Sequence, residues 1–96
     1  MDRLTDTMHT EKFLTASRLK VTPQRMAMLK LLKNSSAHPT ADTIYAQIKR
    51  RFPSISINTV YRILDIFEKS GLISAITDKS GTRHYDAKKK PHIHLI

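Results

Sequence analysis

The sequence predicts a mainly α domain that closes on a small β-hairpin. Three observations carry this. Apolar residues recur at helical spacing through most of the chain, and the period turns strand-like after Gly71. Glycine and proline are also sparse, at two and four in 96 residues. Hydrophobic residues make up 40%, enough for one modest core and too many for wholesale disorder.

The first segment, residues 5–17, sets Leu4, Met8 and Leu14 on a loose helical face among threonines and charges. "VTPQRMAMLKLLKNSSAHPT" reads more clearly. Thr22 can cap a helix with its hydroxyl, and Pro23 suits the first helical position because its missing N–H has no partner there. Met28, Leu29 and Leu32 then recur inward, with Arg25, Lys30 and Lys33 outside. "NSSAHP" ends the helix, since the residue before Pro39 is pushed out of helical geometry.

Thr40 caps the next helix, whose Ala41, Ile44, Tyr45 and Ile48 form an i, i+3, i+4, i+7 stripe. Asp42 suits its positive end, and Lys49, Arg50 and Arg51 suit its negative end. "FPS" breaks the chain. In "SISINTVYRILDIFEKSG", Ser56 is the expected cap, and Val60, Ile63, Leu64 and Phe67 form the apolar face. Asn58, Arg62 and Asp65 fall opposite, Tyr61 lies on the border, and Gly71 is a left-handed stop. "LISAIT" and "TRHYD" read as short strands joined by the turn "DKSG". Helices followed by a hairpin give the order of a winged helix-turn-helix DNA-binding domain. In that arrangement the second helix of the turn unit enters the major groove and the wing rests on the backbone.

The charge balance points the same way. Seventeen Lys and Arg oppose eight Asp and Glu, a formal +9. So small and basic a domain is expected to bind a polyanion, and the plainer alternative is charge that only keeps it soluble. A membrane surface is a weaker rival, because the cations are spread over several segments and do not line one amphipathic helix. The absence of cysteine excludes disulfides and thiolate zinc sites within these residues. No apolar run approaches the ~20 residues of a membrane span, and "MDRLTDTMHTEKF" has no stretch of signal-peptide length. A cytoplasmic protein is the default expectation. Catalysis is disfavoured, without a cysteine nucleophile, carboxylates paired at helical spacing or a glycine-rich phosphate loop.

Groove reading needs a helix anchored on one face and rich in long polar side chains on the other. The helix after Ser56 offers Ser54, Ser56, Asn58, Thr59, Tyr61 and Arg62 near its start. Arg can fork onto a guanine edge, Asn onto an adenine, the Tyr ring can pack on a thymine methyl, and hydroxyls reach phosphates. An amphipathic helix with a merely solvated outer face would look similar, and the net charge and the hairpin favour DNA. Lys20, Arg25, Lys49, Arg50, Arg51, Lys79 and Arg83 would supply non-specific attraction.

The stretches "RLKVTPQRMAMLKLL", "AHPTADTIYAQI", "SINTVYRILDIFEKSGLI" and "HYD…HIHLI" resemble the ferric uptake regulator family of bacterial metal-dependent repressors. The resemblance runs from about Arg18 to the last residue. It implies a winged-helix domain (residues 1–90) and, from residues 91–96, the start of a hinge to a dimerisation domain absent from this chain. It implies DNA binding as a homodimer at AT-rich inverted repeats, with metal as co-repressor. It places the groove-reading tyrosine and arginine on Tyr61 and Arg62, a minor-groove lysine on Lys20 and a backbone-contacting arginine on Arg25. The resemblance puts regulatory metal ligands on His38, Asp86, His92 and His94.

Residues i and i+2 of an extended segment point the same way, so His92 and His94 can face one ion. Imidazole and carboxylate donors suit Fe2+, Mn2+ or Zn2+. Read without the resemblance, a basic tail that contains histidines is the stronger reading, ahead of a metal site. The Cys-x-x-Cys that normally follows in the family is missing, and with it the structural Zn2+ expected of the C-terminal domain. A chain of this extent is therefore expected to be a monomer or weak dimer with weak metal affinity. His9 and His84 match no ligand position and are expected to be exposed. Peroxide-sensing and zinc-sensing members share the pattern, and the peroxide sensors respond by iron-catalysed oxidation of a ligand histidine, for which His38 and His92 are the matching positions. A winged-helix module that binds protein or RNA is the remaining alternative.

Overall fold

A computed structural model describes residues 3–87, with side chains from Thr7 onward. Four helices precede one hairpin: α1 (Arg3–Ala16), α2 (Pro23–Lys33), α3 (Ala41–Arg51), α4 (Ile57–Lys69), β1 (Ile73–Thr77) and β2 (Arg83–Ala87). The architecture is the expected mainly α domain with a two-stranded antiparallel wing.

The caps set the helix starts. The Oγ1 of Thr22 accepts the Arg25 N–H, that of Thr40 accepts the Thr43 N–H, and the Oγ of Ser56 accepts the Thr59 N–H. The ends of α1 and α4 are built alike. After α4 the Leu72 N–H reaches the Phe67 carbonyl at 2.9 Å and the Gly71 N–H the Glu68 carbonyl at 3.1 Å, with Gly71 at φ 85°. After α1 the same pair of bonds joins Leu19 to Leu14 and Arg18 to Thr15, but Arg18 takes the left-handed position at φ 62°.

Leu14, Met28, Leu29, Leu32, Ile44, Val60, Leu64 and Phe67 are inaccessible to solvent and form the centre of the core. Each such side chain contributes about 1.5–3 kcal/mol relative to leaving it in water. The turn between α3 and α4 sends Ile55 inward. Ile55 and Val60 occupy the staple positions flanking the Ser56 cap, and both are buried.

The first helix differs from expectation. Met8 is half-exposed, and among the described side chains of α1 the buried ones are Thr10, Phe13 and Leu14. Lys30 and Lys33, expected outside, are half-buried against α1. The Lys30 ammonium donates to the Thr7 hydroxyl at 2.6 Å, and the Lys33 ammonium sits 4.5 Å from the Phe13 ring centroid. Their aliphatic stems cover apolar surface while the charged heads find partners on the neighbouring helix.

The wing pairs Ile73 with Ala87 through to Thr77 with Arg83. Its tip is a three-residue turn: the Gly81 N–H bonds the Asp78 carbonyl, the Asp78 N–H bonds the Thr82 carbonyl, and Gly81 has φ 90°. The Tyr85 N–H donates to the Pro39 carbonyl at 2.9 Å, so the loop between α2 and α3 covers the outer edge of β2. No helix of the described residues is long and apolar enough to cross a membrane.

Candidate nucleic-acid interface and metal ligands

The apolar stripe of α4 faces the core, and this orients the rest of the helix. Asn58, Tyr61, Arg62 and Asp65, at i, i+3, i+4 and i+7, are exposed together. Tyr61, assigned to the border, is 49% exposed. Arg62 has no ion-pair partner among the described residues, whereas Asp65 pairs with Lys69 at 3.0 Å on the exposed face. Tyr61 also lines a groove of about 240 Å3 with Thr40, Asp42, Gly81, Thr82, Arg83 and Tyr85, between α4, the start of α3 and the wing tip.

Several expected DNA-contacting groups already have work inside the protein. The hydroxyls of Ser56 and Thr59 lie 3.0 Å apart at the α4 cap. A guanidinium nitrogen of Arg25 donates to the Lys20 carbonyl at 3.1 Å, so Arg25 fixes the loop that displays the exposed Lys20. Arg83 grips both carboxylate oxygens of Glu68 at 2.7 Å and lies over the Tyr85 ring. This pair ties the wing to α4 and neutralises a charge that sequence reasoning left for phosphate. Lys49, Arg50, Arg51 and Lys79 are exposed.

Two of the four expected metal ligands lie within the described residues, and they meet. The Nε2 of His38 stands 3.6 Å from an Asp86 carboxylate oxygen, both side chains being about half-exposed. Two donors held ~2.1 Å from a tetrahedral ion are about 3.4 Å apart, so the pair fits one divalent ion with little movement. His92 and His94 lie outside the described residues. Among the described residues no cluster of three or more metal-binding side chains forms.

His84 is not the exposed histidine expected, whereas His9 is exposed. One ring nitrogen of His84 lies 2.9 Å from the His38 carbonyl and the other 2.8 Å from an Asp78 carboxylate oxygen. Both neighbours are acceptors, so the site favours the ring with both nitrogens protonated. Its pKa is accordingly raised, first by the Asp78 hydrogen bond and then by the His38 carbonyl. The other Asp78 carboxylate oxygen accepts from the Ser80 hydroxyl at 2.6 Å, the Ser80 N–H and the Thr82 N–H. These bonds, Ser80's hydroxyl foremost and the His84 ring next, hold the Asp78 carboxyl well below the usual carboxylate range. A histidine two residues before a candidate ligand was the available sequence signal, but its carbonyl acceptor lies 46 residues away.

The model of the ferric uptake regulator family matches residues 16–96. The chain is 42% identical over 78 residues to the peroxide operon regulator of Bacillus subtilis strain 168, a match covering 81% of this chain and 54% of that protein. Among solved structures, PerR from Streptococcus pyogenes, described for peroxide sensing and gene regulation, superposes with TM-score 0.75. That match is at 28% identity over 85% of this chain and 56% of the other. The Helicobacter pylori ferric uptake regulator, described as having three functional metal-binding sites, gives 0.74 at 26% identity, covering 96% and 61%. The chain spans about half the length of the curated relatives it matches.

Proposed function

The chain belongs to the ferric uptake regulator family, and from that membership we propose that it acts as the DNA-binding unit of a metal-dependent transcriptional repressor. The observation that carries this is the α4 surface. A helix locked into the core by Val60, Ile63, Leu64 and Phe67 presents Asn58, Tyr61 and Arg62 outward beside a wing. In this reading α4 lies in the major groove, with Arg62 and Asn58 on base edges and Tyr61 on a thymine methyl. Lys20, positioned by Arg25, probes the minor groove. Ser56 and Thr59 contribute chiefly through the cap, and Arg83 by setting the wing. Two such units, paired in a homodimer, would span an AT-rich inverted repeat.

The metal reading assigns His38 and Asp86, with His92 and His94 from residues 91–96, to one Fe2+, Mn2+ or Zn2+. An ion there would draw the loop after α2 and the end of β2 onto the chain that follows. Tyr61→Ala or Arg62→Ala should lower the preference for operator over random duplex. A bidentate base contact is worth about 1–3 kcal/mol, or roughly 5- to 150-fold. Competition shift assays measure this ratio, and an unchanged one removes these residues from base reading.

The B. subtilis and S. pyogenes relatives favour a second reading, in which the regulator responds to peroxide. Treatment with ferrous iron and peroxide, then peptide mass spectrometry, should show oxygen added to the peptide bearing His38. Unmodified peptide from iron-loaded protein argues for a metal sensor instead.

A further inference from the structure

The loop bearing His38 is tied to β2 in a way the metal reading does not use. His38 has φ 50°, a left-handed conformation that an L residue adopts at a cost. The Tyr85 N–H donates to the Pro39 carbonyl and the His84 ring meets the His38 carbonyl, so two consecutive loop carbonyls are engaged by β2. His84's other nitrogen ends on Asp78, whose second oxygen organises the three-residue turn at the wing tip. A continuous chain of hydrogen bonds therefore runs from the wing tip to the backbone of a candidate metal ligand.

We propose that His84 is a positioning residue. Its ring ties the His38 backbone to the wing turn, so that metal at His38 and the placement of the wing are coupled through one side chain. This rests on the reading of His38 and Asp86 as ligands. The hydrogen bonds that orient ligands are worth about 10- to 100-fold in metal affinity. His84 acts on the backbone of the ligand and not on its ring, so its effect falls at the lower end, about 10-fold.

The test uses zinc as probe on the isotopically labelled chain, with affinity read by competition against a chromophoric chelator and the Ser80, Gly81 and Thr82 amides read by NMR. In the parent, zinc should shift these wing-tip amides. His84→Phe keeps a planar ring without donors. It should bind zinc about 10-fold more weakly and lose the wing-tip response, while His84→Arg, with donors in several directions, should restore both. Asp78→Asn, which keeps a turn acceptor but loses the charge facing His84, should weaken the response in the same direction. Parent-like affinity and wing-tip shifts in both His84→Phe and Asp78→Asn would overturn the proposal. Zinc affinity unchanged by His38→Ala would instead show that the ligand reading is wrong, and the proposal would fall with it.

Discussion

His84 shows how far a single residue's surroundings can depart from its sequence neighbourhood. Its native pKa is raised above the ordinary 6.5 by Asp78, while Asp78 is depressed below its ordinary 3.8. The stabilisation linked to His84 is therefore complete below pH 6.5 and fades as the pH climbs through the native value. That linked to Asp78 is present above pH 3.8 and is lost as the pH falls through its native value. An NMR titration of the imidazole carbons should place His84 above 6.5, and Asp78→Asn should return it toward that value. A midpoint already at the ordinary value in the parent would contradict the paired geometry. Tyr61 and Arg62 were legible as exposed because their place on α4 follows from helical periodicity alone. The engagements of Arg25 and His84 were not, because Arg25 bonds a backbone carbonyl and His84 joins a distant backbone carbonyl to Asp78, and no side-chain pattern marks either carbonyl.

At the scale of elements, α4 was legible nearly to the residue because cap, stripe and stop agree: Ser56, then Val60 to Phe67, then Gly71. Removing the cap by Ser56→Ala should cost about 0.5–2 kcal/mol. A chemical denaturation series would show it as a lower midpoint with unchanged slope. Because the Ser56 hydroxyl is engaged in capping, preference among DNA sequences should stay near the parent's. A large fall in preference without loss of stability would give Ser56 a direct contact. The first helix was expected with Leu14 inward, as found, but Met8 was misplaced on its apolar face for the converse reason. Its buried face includes a threonine, Thr10, and its exposed face a methionine, Met8. Hydrophobicity therefore does not track burial there, and packing against α2 decides it. The lysines of α2 were misplaced for the same reason, since long stems bury where charge alone predicts solvent.

For the whole molecule, the formal +9 predicts binding that weakens as salt rises, by roughly 0.9 in log–log slope for each phosphate neutralised. The structure ranks the contributors. Lys79 at the wing tip is exposed, whereas Arg83 is held by both oxygens of Glu68. If Lys79 contacts a phosphate, Lys79→Ala should reduce the slope by nearly one such unit, while Arg83→Ala should change it by much less and instead loosen the wing. Equal slope changes in the two variants would mean that Arg83 leaves Glu68 when DNA binds. The composition raised the expectation of a polyanion binder, but which cations are available depends on ion pairs between elements far apart in the chain.

The alternation of β2 has a consequence for how this wing can change length. Arg83 and Tyr85 turn toward α4 and the core, while His84 and Asp86 turn toward His38. One extra residue inside the strand would exchange the two sets, handing the histidine to the α4 side and the arginine to the His38 loop. Within β2, insertions of even length should therefore be tolerated better than odd ones.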